Sequence, residues 1–247
     1  MGKKITVEIV IPIYNEEIDL EANILKLHSY LSEKCSSFNW HITIADNAST
    51  DNSLTIAKNL VKKLPGVGVI HLSQKGRGRA VKSAWKKSRA SILLYMDVDL
   101  STDLVSLTPL VKSLSSGYDI AIGSRLLPDS KVMNRPLKRE ILSRGYNILI
   151  KLIFRTRFSD AQCGFKAVTR RIVHQLLPHI RDNAWFFDSE LLIIGEKLGY
   201  KIYEEPVSWI DNPGSTVRVI KTVYGDLAGL WRLFWNKPWR KIKINNE

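Results

Sequence analysis

Three observations predict an α/β fold with a mainly parallel, twisted sheet, helices on both faces, and an α-rich, basic C-terminal elaboration. Over the first half of the chain, short β-branched runs alternate with segments whose apolar residues recur at helical spacing. Each apolar run ends in a polar cluster, so the polar loops gather at the carboxyl ends of the strands, where open sheets of this kind bind ligands. Past residue 125 the alternation gives way to a basic loop, a long helical pattern and mixed segments. No Pro/Gly/Ser-rich linker divides the 247 residues, so one domain is expected, with a ligand-binding half at 1–125 and a second half at 126–247.

Val7 to Ile13 is a β-branched run closed by Pro12 and by Asn15, Glu16 and Glu17, which predicts a buried strand opening into a loop. Leu20, Ile24, Leu27 and Leu31 then keep the 3.6-residue period of a packed helix. His41 to Ala45 is a second strand, followed by the polar run Asp46 to Asp51 and a helix through Ile56, Leu60 and Leu64. Val67 to Leu72 supplies the third strand, Gln74 to Gly78 its turn, and Arg79 to Ser88 the third helix. Ser91 to Met96 is a wholly apolar fourth strand that runs into Asp97, Val98 and Asp99. Beyond the strand-like Ile120 to Arg125, helices are expected near Leu137 to Arg155 and from about Thr216 to Asn236, the latter closed by Pro238.

The formal net charge of +13 predicts attraction to phosphorylated or anionic partners. From Arg135 onward there are 20 basic and 11 acidic residues, a surplus of +9, so most of the excess belongs to the second half. Cys35 and Cys163 are two, widely spaced and without metal-ligand spacing, which argues against a zinc site or a disulfide framework and fits a reducing cytoplasmic setting. Met1 to Lys4 lead straight into a strand, so no signal peptide is expected. No run of 18 apolar residues occurs, so a membrane, if met, is met from its surface.

Asp97 and Asp99 lie two apart at a strand end, so both carboxylates point to one side and can share a hard cation, Mg²⁺ or Mn²⁺. Such a cation bridges the phosphates of a nucleoside diphosphate and neutralises the charge growing on a leaving group. Taken alone the pair is equally a solvated acidic loop; its place after a buried strand, among other polar strand ends, favours the site. Gly76 and Gly78, with Lys75, Arg77 and Arg79, let backbone amides and cations approach a diphosphate before a helix begins, or form a simple turn.

Six segments in order carry a resemblance: Val10 to Glu16 (VIPIYNE), Ala45 to Asp51 (ADNASTD), Asp97 to Asp99 (DVD), Gly123 to Arg125 (GSR), Asp160 to Lys166 (DAQCGFK) and Trp185 to Glu190 (WFFDSE). The chain resembles, over nearly its whole length, the family 2 glycosyltransferases of GT-A fold, a Rossmann-like class, and within them the dolichyl- and polyprenyl-phosphate hexose synthases. The resemblance implies that Pro12, Tyr14, Glu16 and Asp46 hold a nucleoside, with Asp97 and Asp99 on the metal and diphosphate. It also implies that Arg125, Arg139 and Ser143 cradle an acceptor phosphate, where guanidinium forks suit phosphate oxygens. Asp188 and Glu190 fall at a predicted helix start near the site, as polar organisers of it or as helix N-terminal acids. The mannosyl synthases carry Gln two residues after the second metal Asp, where this chain has Ser101; with the DAQCGFK and WFFDSE segments this points to glucosyl transfer from UDP-glucose rather than mannosyl transfer from GDP-mannose.

On the helix from Leu142, one face carries Leu142, Tyr146, Leu149 and Ile153 and the opposite one Arg144, Lys151 and Arg155, a pattern that suits either a core helix or a surface lying on lipid. In the last helix Val217, Ile220, Tyr224, Leu227, Trp231 and Phe234 form an apolar stripe, and Trp231, Trp235 and Trp239 sit among Arg232, Lys237, Arg240, Lys241 and Lys243. Indole rings favour the headgroup zone and a polybasic tail an anionic leaflet. The expected partners are thus a nucleotide sugar, a lipid-linked phosphate and the inner face of an anionic membrane, with an integral partner or a homo-oligomer left open. Transfer to a soluble acceptor is a rival. A nucleic-acid partner also suits the charge but leaves the acid pair unexplained, and none is expected.

Overall fold

The computed structural model describes residues 4–211 and 219–243. Strand β1 (Thr6–Ile13) leads through helix α1 (Leu20–Lys34) to β2 (Asn39–Asn47), α2 (Ser53–Lys63), β3 (Val67–Leu72), α3 (Arg77–Lys87) and β4 (Ile92–Met96). These four strands pair in parallel, as the alternation predicts, and the structure sets them in the order β3-β2-β1-β4. Pairing sets Pro12 beside Ala45 and Ile13 beside Asp46, so the polar residues that follow β1 and β2 emerge at one edge.

The second half adds α4 (Leu107–Ser115), β5 (Ile120–Ser124), β6 (Lys131–Met133), α5 (Leu137–Phe154), β7 (Phe165–Thr169), α6 (Arg170–Gln175), α7 (Phe187–Lys197), β8 (Ile202–Pro206), β9 (Ser208–Ile210) and α8 (Val219–Asn236). It is α-rich, yet it completes the sheet to seven strands: β7 runs antiparallel between β4 and β5, and β8 lies parallel to β5 at the edge. Periodicity does not reveal β7, because Lys166 interrupts its apolar run, nor β8, whose Glu204 and Glu205 read as polar. Antiparallel entry has a chemical result. The start of β7, not its end, meets the carboxyl end of β4, with Phe165 beside Met96 and Lys166 beside Tyr95.

Alternating strand residues divide the core into two layers. Ile9, Ile11, Leu94 and Met96 pack under α1, α2 and α4. Val10, Leu93 and Tyr95 face α3, α5, α6, α7 and α8. The second layer centres on Trp85, Tyr95 and Phe187, whose ring centroids lie 5.9 to 6.4 Å apart. Burying each such ring stabilises the fold by roughly 2–3 kcal/mol.

Helices α5 and α8 turn other faces inward than simple hydrophobicity suggests. The core stripe of α5 is Ser143, Asn147, Ile150 and Phe154; Tyr146, Leu149 and Ile153 are half-buried, while Leu142 is exposed, as are Leu137, Ile141, Ile148 and Leu152. Asn147 explains the rotation, since its side chain takes the Ala161 amide and donates to the Ser143 carbonyl inside the core. In α8, Asp226, Leu230 and Leu233 are buried and Tyr224, Leu227, Trp231, Phe234 and Trp235 are exposed. Thr216 and Val217 lie outside the described residues, as does the side chain of Ile220. Among the described residues no helix is long and apolar enough to cross a membrane.

Candidate active site

At the end of β1, Asn15 takes a left-handed conformation (φ 56°) and trades hydrogen bonds with the Ser49 and Thr50 loop, while the Glu16 amide donates to Ser53 Oγ at 2.8 Å. The turn therefore presents Tyr14 and Glu16 beside the end of β2. Asp46 is fully buried there, its Oδ2 2.6 Å from His71 Nδ1. Lys75 places its ammonium 3.2 Å from the centroid of the Tyr14 ring, so an aromatic face and a cation share the mouth.

Gly76 is differently engaged than a phosphate-binding turn requires. Its amide donates to Asn47 Oδ1 at 3.0 Å, and the amides of Gly78 and Arg79 donate to the Ala184 and Asn183 carbonyls at 3.1 and 3.0 Å. The Gly78 and Arg79 amides in the first turn of α3 are thus consumed by the loop before α7, and a Cβ on Gly76 would strike the Asn183 carbonyl. What this turn offers an anion is the side-chain charge of Lys75.

Asp97 and Asp99 flank Val98 at the carboxyl end of β4. Burial, and then the Asp97 carboxylate, hold Asp99 above the usual carboxylate range. Glu16 is pushed up to about 7 by burial and next by Asp99, with Asp19, Asp97 and Asp51 adding to it. The acids of the β1 and β4 ends therefore crowd one another, an arrangement that a cation relieves. Among the described residues no group of three or more His, Cys, Asp or Glu side chains forms a closed cage. Two carboxylates with open positions suit a hard cation that keeps water and takes its remaining ligands from phosphates.

Arg77, which spacing alone marks only as one cation of a turn, is the hub of the site. Its Nη2 and Nε donate to Asp97 Oδ1 at 2.6 and 3.2 Å, and its Nη1 donates to Asp188 Oδ2 at 2.7 Å. Asp188 also accepts from the Tyr95 hydroxyl and lies 3.4 Å from the fully buried Lys166 ammonium. Asp188, at the start of α7, thereby orients Asp97 through one guanidinium. Glu190 acts elsewhere: its Oε1 takes Arg232 of α8 at 2.7 Å and its Oε2 the Asp182 amide at 2.7 Å, joining α7 to α8. Gly164 is the remaining piece, since a Cβ there would overlap the Asp97 carboxylate while its carbonyl accepts the Asp97 amide at 3.1 Å. A lysine within an otherwise apolar segment is the signal for Lys166, because a buried ammonium requires a nearby carboxylate.

Arg125, after β5, spends its fork internally. Nε and the backbone amide donate to Asp160 Oδ2 at 2.7 and 3.1 Å, and Nη2 to Oδ1 at 2.9 Å. Asp160 is fully buried and the Arg125 charge draws it down to about 2 against its desolvation. Arg125 still lines a cavity of about 790 Å³, together with the apolar Leu126, Leu127, Pro128, Val132 and Leu137 and the charged Arg135, Glu140 and Arg144. Arg139 and Ser143 are not on that lining. Arg139 Nη1 donates to Asp211 Oδ1 at 2.8 Å, and the Ser143 hydroxyl is buried without a hydrogen-bond partner.

A parallel half-sheet with crowded acids at its strand ends, next to a cationic turn and a basic cavity, defines a GT-A glycosyltransferase. The chain belongs to glycosyl transferase family 2, whose profile matches residues 8–177. It is 33% identical over 233 residues to the glycosyltransferase AglD of Haloferax volcanii, covering 94% of this chain but 37% of that protein, so it spans little more than a third of that relative's length. It is 31% identical to a dolichyl-phosphate beta-glucosyltransferase of Trichomonas vaginalis, over 91% of this chain and 75% of the relative. The dolichyl-phosphate beta-glucosyltransferase of Saccharomyces cerevisiae is 31% identical, over 86% and 69%. In fold the chain is similar to glucosyl-3-phosphoglycerate synthase of Mycobacterium tuberculosis. The complex of that enzyme with UDP aligns with TM-score 0.68 at 18% identity, over 93% of this chain and 80% of that one. Its complex with Mn²⁺, UDP-glucose and phosphoglyceric acid aligns with TM-score 0.66 at 15% identity, over 98% and 81%.

Proposed function

We propose that this chain transfers glucose from UDP-glucose, with inversion, to a polyprenyl or dolichyl phosphate at the inner face of a membrane. The single observation that carries this reading is a basic, partly apolar cavity lined by Arg125, whose guanidinium feels the charge of Asp97 at the β4 strand end, in a chain whose relatives include dolichyl-phosphate beta-glucosyltransferases. In this reading residues 1–125 hold the donor and residues 126–247 the acceptor. Tyr14 offers a face to the base and Glu16 a carboxylate to a hydrogen-bond donor of the nucleoside, while the buried Asp46 fixes the end of β2 beside them through His71 and the Ser49 amide. Lys75 neutralises diphosphate charge. Arg77 and Asp188 hold Asp97 in place, so that Asp97 and Asp99 can carry Mg²⁺ or Mn²⁺. When bound, that cation supplies charge stabilisation for the departing diphosphate.

An acceptor phosphate monoester is already largely ionised near neutral pH, so its oxygen attacks the anomeric carbon without a strong base. The bond from that carbon to the UDP oxygen breaks, and the electron pair leaves with UDP. Positioning and leaving-group stabilisation then carry the rate. Arg125, which lines the cavity and is already paired with Asp160, acts chiefly by shaping it.

The test incubates the protein with Mg²⁺ or Mn²⁺, polyprenyl phosphate and labelled UDP-glucose or GDP-mannose. Label from UDP-glucose should pass into the organic phase, and EDTA or Asp99→Asn should stop it. Label confined to the aqueous phase would reject the lipid acceptor, and preferential use of GDP-mannose would reject the donor.

A further inference from the structure

The cavity beside Arg125 contains a second group of charges whose balance differs from that of the Arg125–Asp160 pair. Arg135 is nearly enclosed, its side chain only 9% exposed, and its Nη1 stands 3.1 Å from Glu140 Oε2 without the alignment of a hydrogen bond. The same Glu140 accepts Arg144 Nε on its other oxygen at 2.5 Å. One carboxylate thus serves two guanidiniums. Arg125 lends no spare anion, because both Asp160 oxygens are used by its own fork, and after desolvation its charge is what most holds Arg135 below the usual guanidinium range.

We propose that Arg135 and Arg144 form the anion-binding pair of this cavity, that Glu140 fills their shared position while no acceptor is present, and that the phosphate of a prenyl monophosphate displaces it. The cluster has the features of a site closed by its own side chain. Arg135 is buried, its Nη1 covered and unaligned beside Glu140; Glu140 is about a quarter exposed, on the first turn of α5, with rotatable bonds that carry its carboxylate outward and so uncover that nitrogen. An arriving phosphate offers three oxygens to two forks, where the carboxylate offers two in poor geometry. Leu126, Leu127, Pro128 and Val132 then receive the first isoprene units. Exchange of one anion for another keeps the buried charge balanced throughout, so the acceptor enters without leaving Arg135 unpaired.

This inference rests on the lipid-phosphate reading of the acceptor, and the experiment separates the two. Titration calorimetry with geranylgeranyl phosphate and, separately, inorganic phosphate is run on the wild type, Arg135→Gln, Arg135→Lys and Glu140→Gln, with UDP as control and steady-state kinetics alongside. Arg135→Gln should weaken geranylgeranyl phosphate binding and raise its KM at least tenfold, with kcat and UDP affinity within twofold; Arg135→Lys should recover part of the loss. Glu140→Gln should bind the lipid phosphate two- to fivefold more tightly, a gain that a merely structural counter-ion would not give. Wild-type binding of geranylgeranyl phosphate that Arg135→Gln leaves within twofold, or that Glu140→Gln weakens, overturns this inference alone. Equal affinity for inorganic phosphate overturns the apolar wall as a chain site. A wild type that binds neither probe overturns the acceptor reading as well.

Discussion

At the scale of the residue, the charges that matter here are buried and shared. Asp97 is held by Arg77, Arg77 by Asp188, and Asp188 by Tyr95 and Lys166, so the position of a proposed metal ligand depends on a chain of contacts rather than on its strand alone. The Arg125–Asp160 pair follows the same logic, and it yields a prediction about stability. Replacing Arg125 with Ala leaves a fully buried carboxylate without its partner, which costs roughly 3–5 kcal/mol. Denaturant unfolding at pH 7 measures that loss; an unchanged midpoint would show that water reaches Asp160. In the intact protein Asp160 sits near 2, below its ordinary 3.8, so its contribution is complete above about pH 4 and is lost as pH falls toward 2.

At the scale of the element, α8 is fastened to the body by few groups. Arg232 reaches Glu190, Leu230 and Leu233 enter the second core layer, and Gly229 lies so close to Phe186 that a Cβ would collide with the ring. Asp226 is the odd member. It is buried on the inner face, takes Gln162 Nε2 at 2.6 Å on one oxygen, and has no partner for the other. Burial, with Asp182 and Asp188 nearby, raises it to about 7. Because the folded state holds this proton more tightly than the unfolded chain, stability is greatest below about pH 4 on this account and declines as pH rises toward 7. The whole effect is on the order of 4 kcal/mol at most. Asp226→Asn should flatten that slope, gaining stability over the wild type at pH 8 and little at pH 4.5. Parallel melting curves across that range check it, and an equal slope in the variant would contradict the assignment.

At the scale of the whole molecule, many of the large exposed apolar residues lie on two neighbouring helices. Leu137, Ile141, Ile148 and Leu152 on α5 and Tyr224, Leu227, Trp231 and Trp235 on α8 all face outward, and α5 and α8 are in contact. Trp231 and Trp235, 66% and 64% exposed, stack edge to face at 5.5 Å. Lys237, Arg240 and Lys241 follow at once. In the proposed reading this surface rests on an anionic leaflet. Binding to vesicles containing phosphatidylserine should exceed binding to neutral vesicles and should weaken as salt screens the attraction. The double variant Trp231→Ala/Trp235→Ala should lose most of it, and co-sedimentation measures both effects. Undiminished binding by that variant would place the membrane contact elsewhere.

The first four strands, their helices and the acid pair at the end of β4 were legible in the chain itself, because each is written in local periodicity and in the polar residues that end an apolar run. The motifs VIPIYNE and DAQCGFK likewise announce the family, since they are contiguous. Only the tertiary structure decided which groups meet: Arg77 and Asp188 are 111 residues apart, and Arg125 and Asp160 are 35 apart. It also decided which faces of α5 and α8 turn inward, and that the Gly76 amide is spent on Asn47. Hydrogen-bond and ion-pair partners distant along the chain leave no periodic trace, because what selects them is the need of a buried charge for a counter-charge. That need is met only where the sheet order, with β7 set antiparallel between β4 and β5, brings the two together.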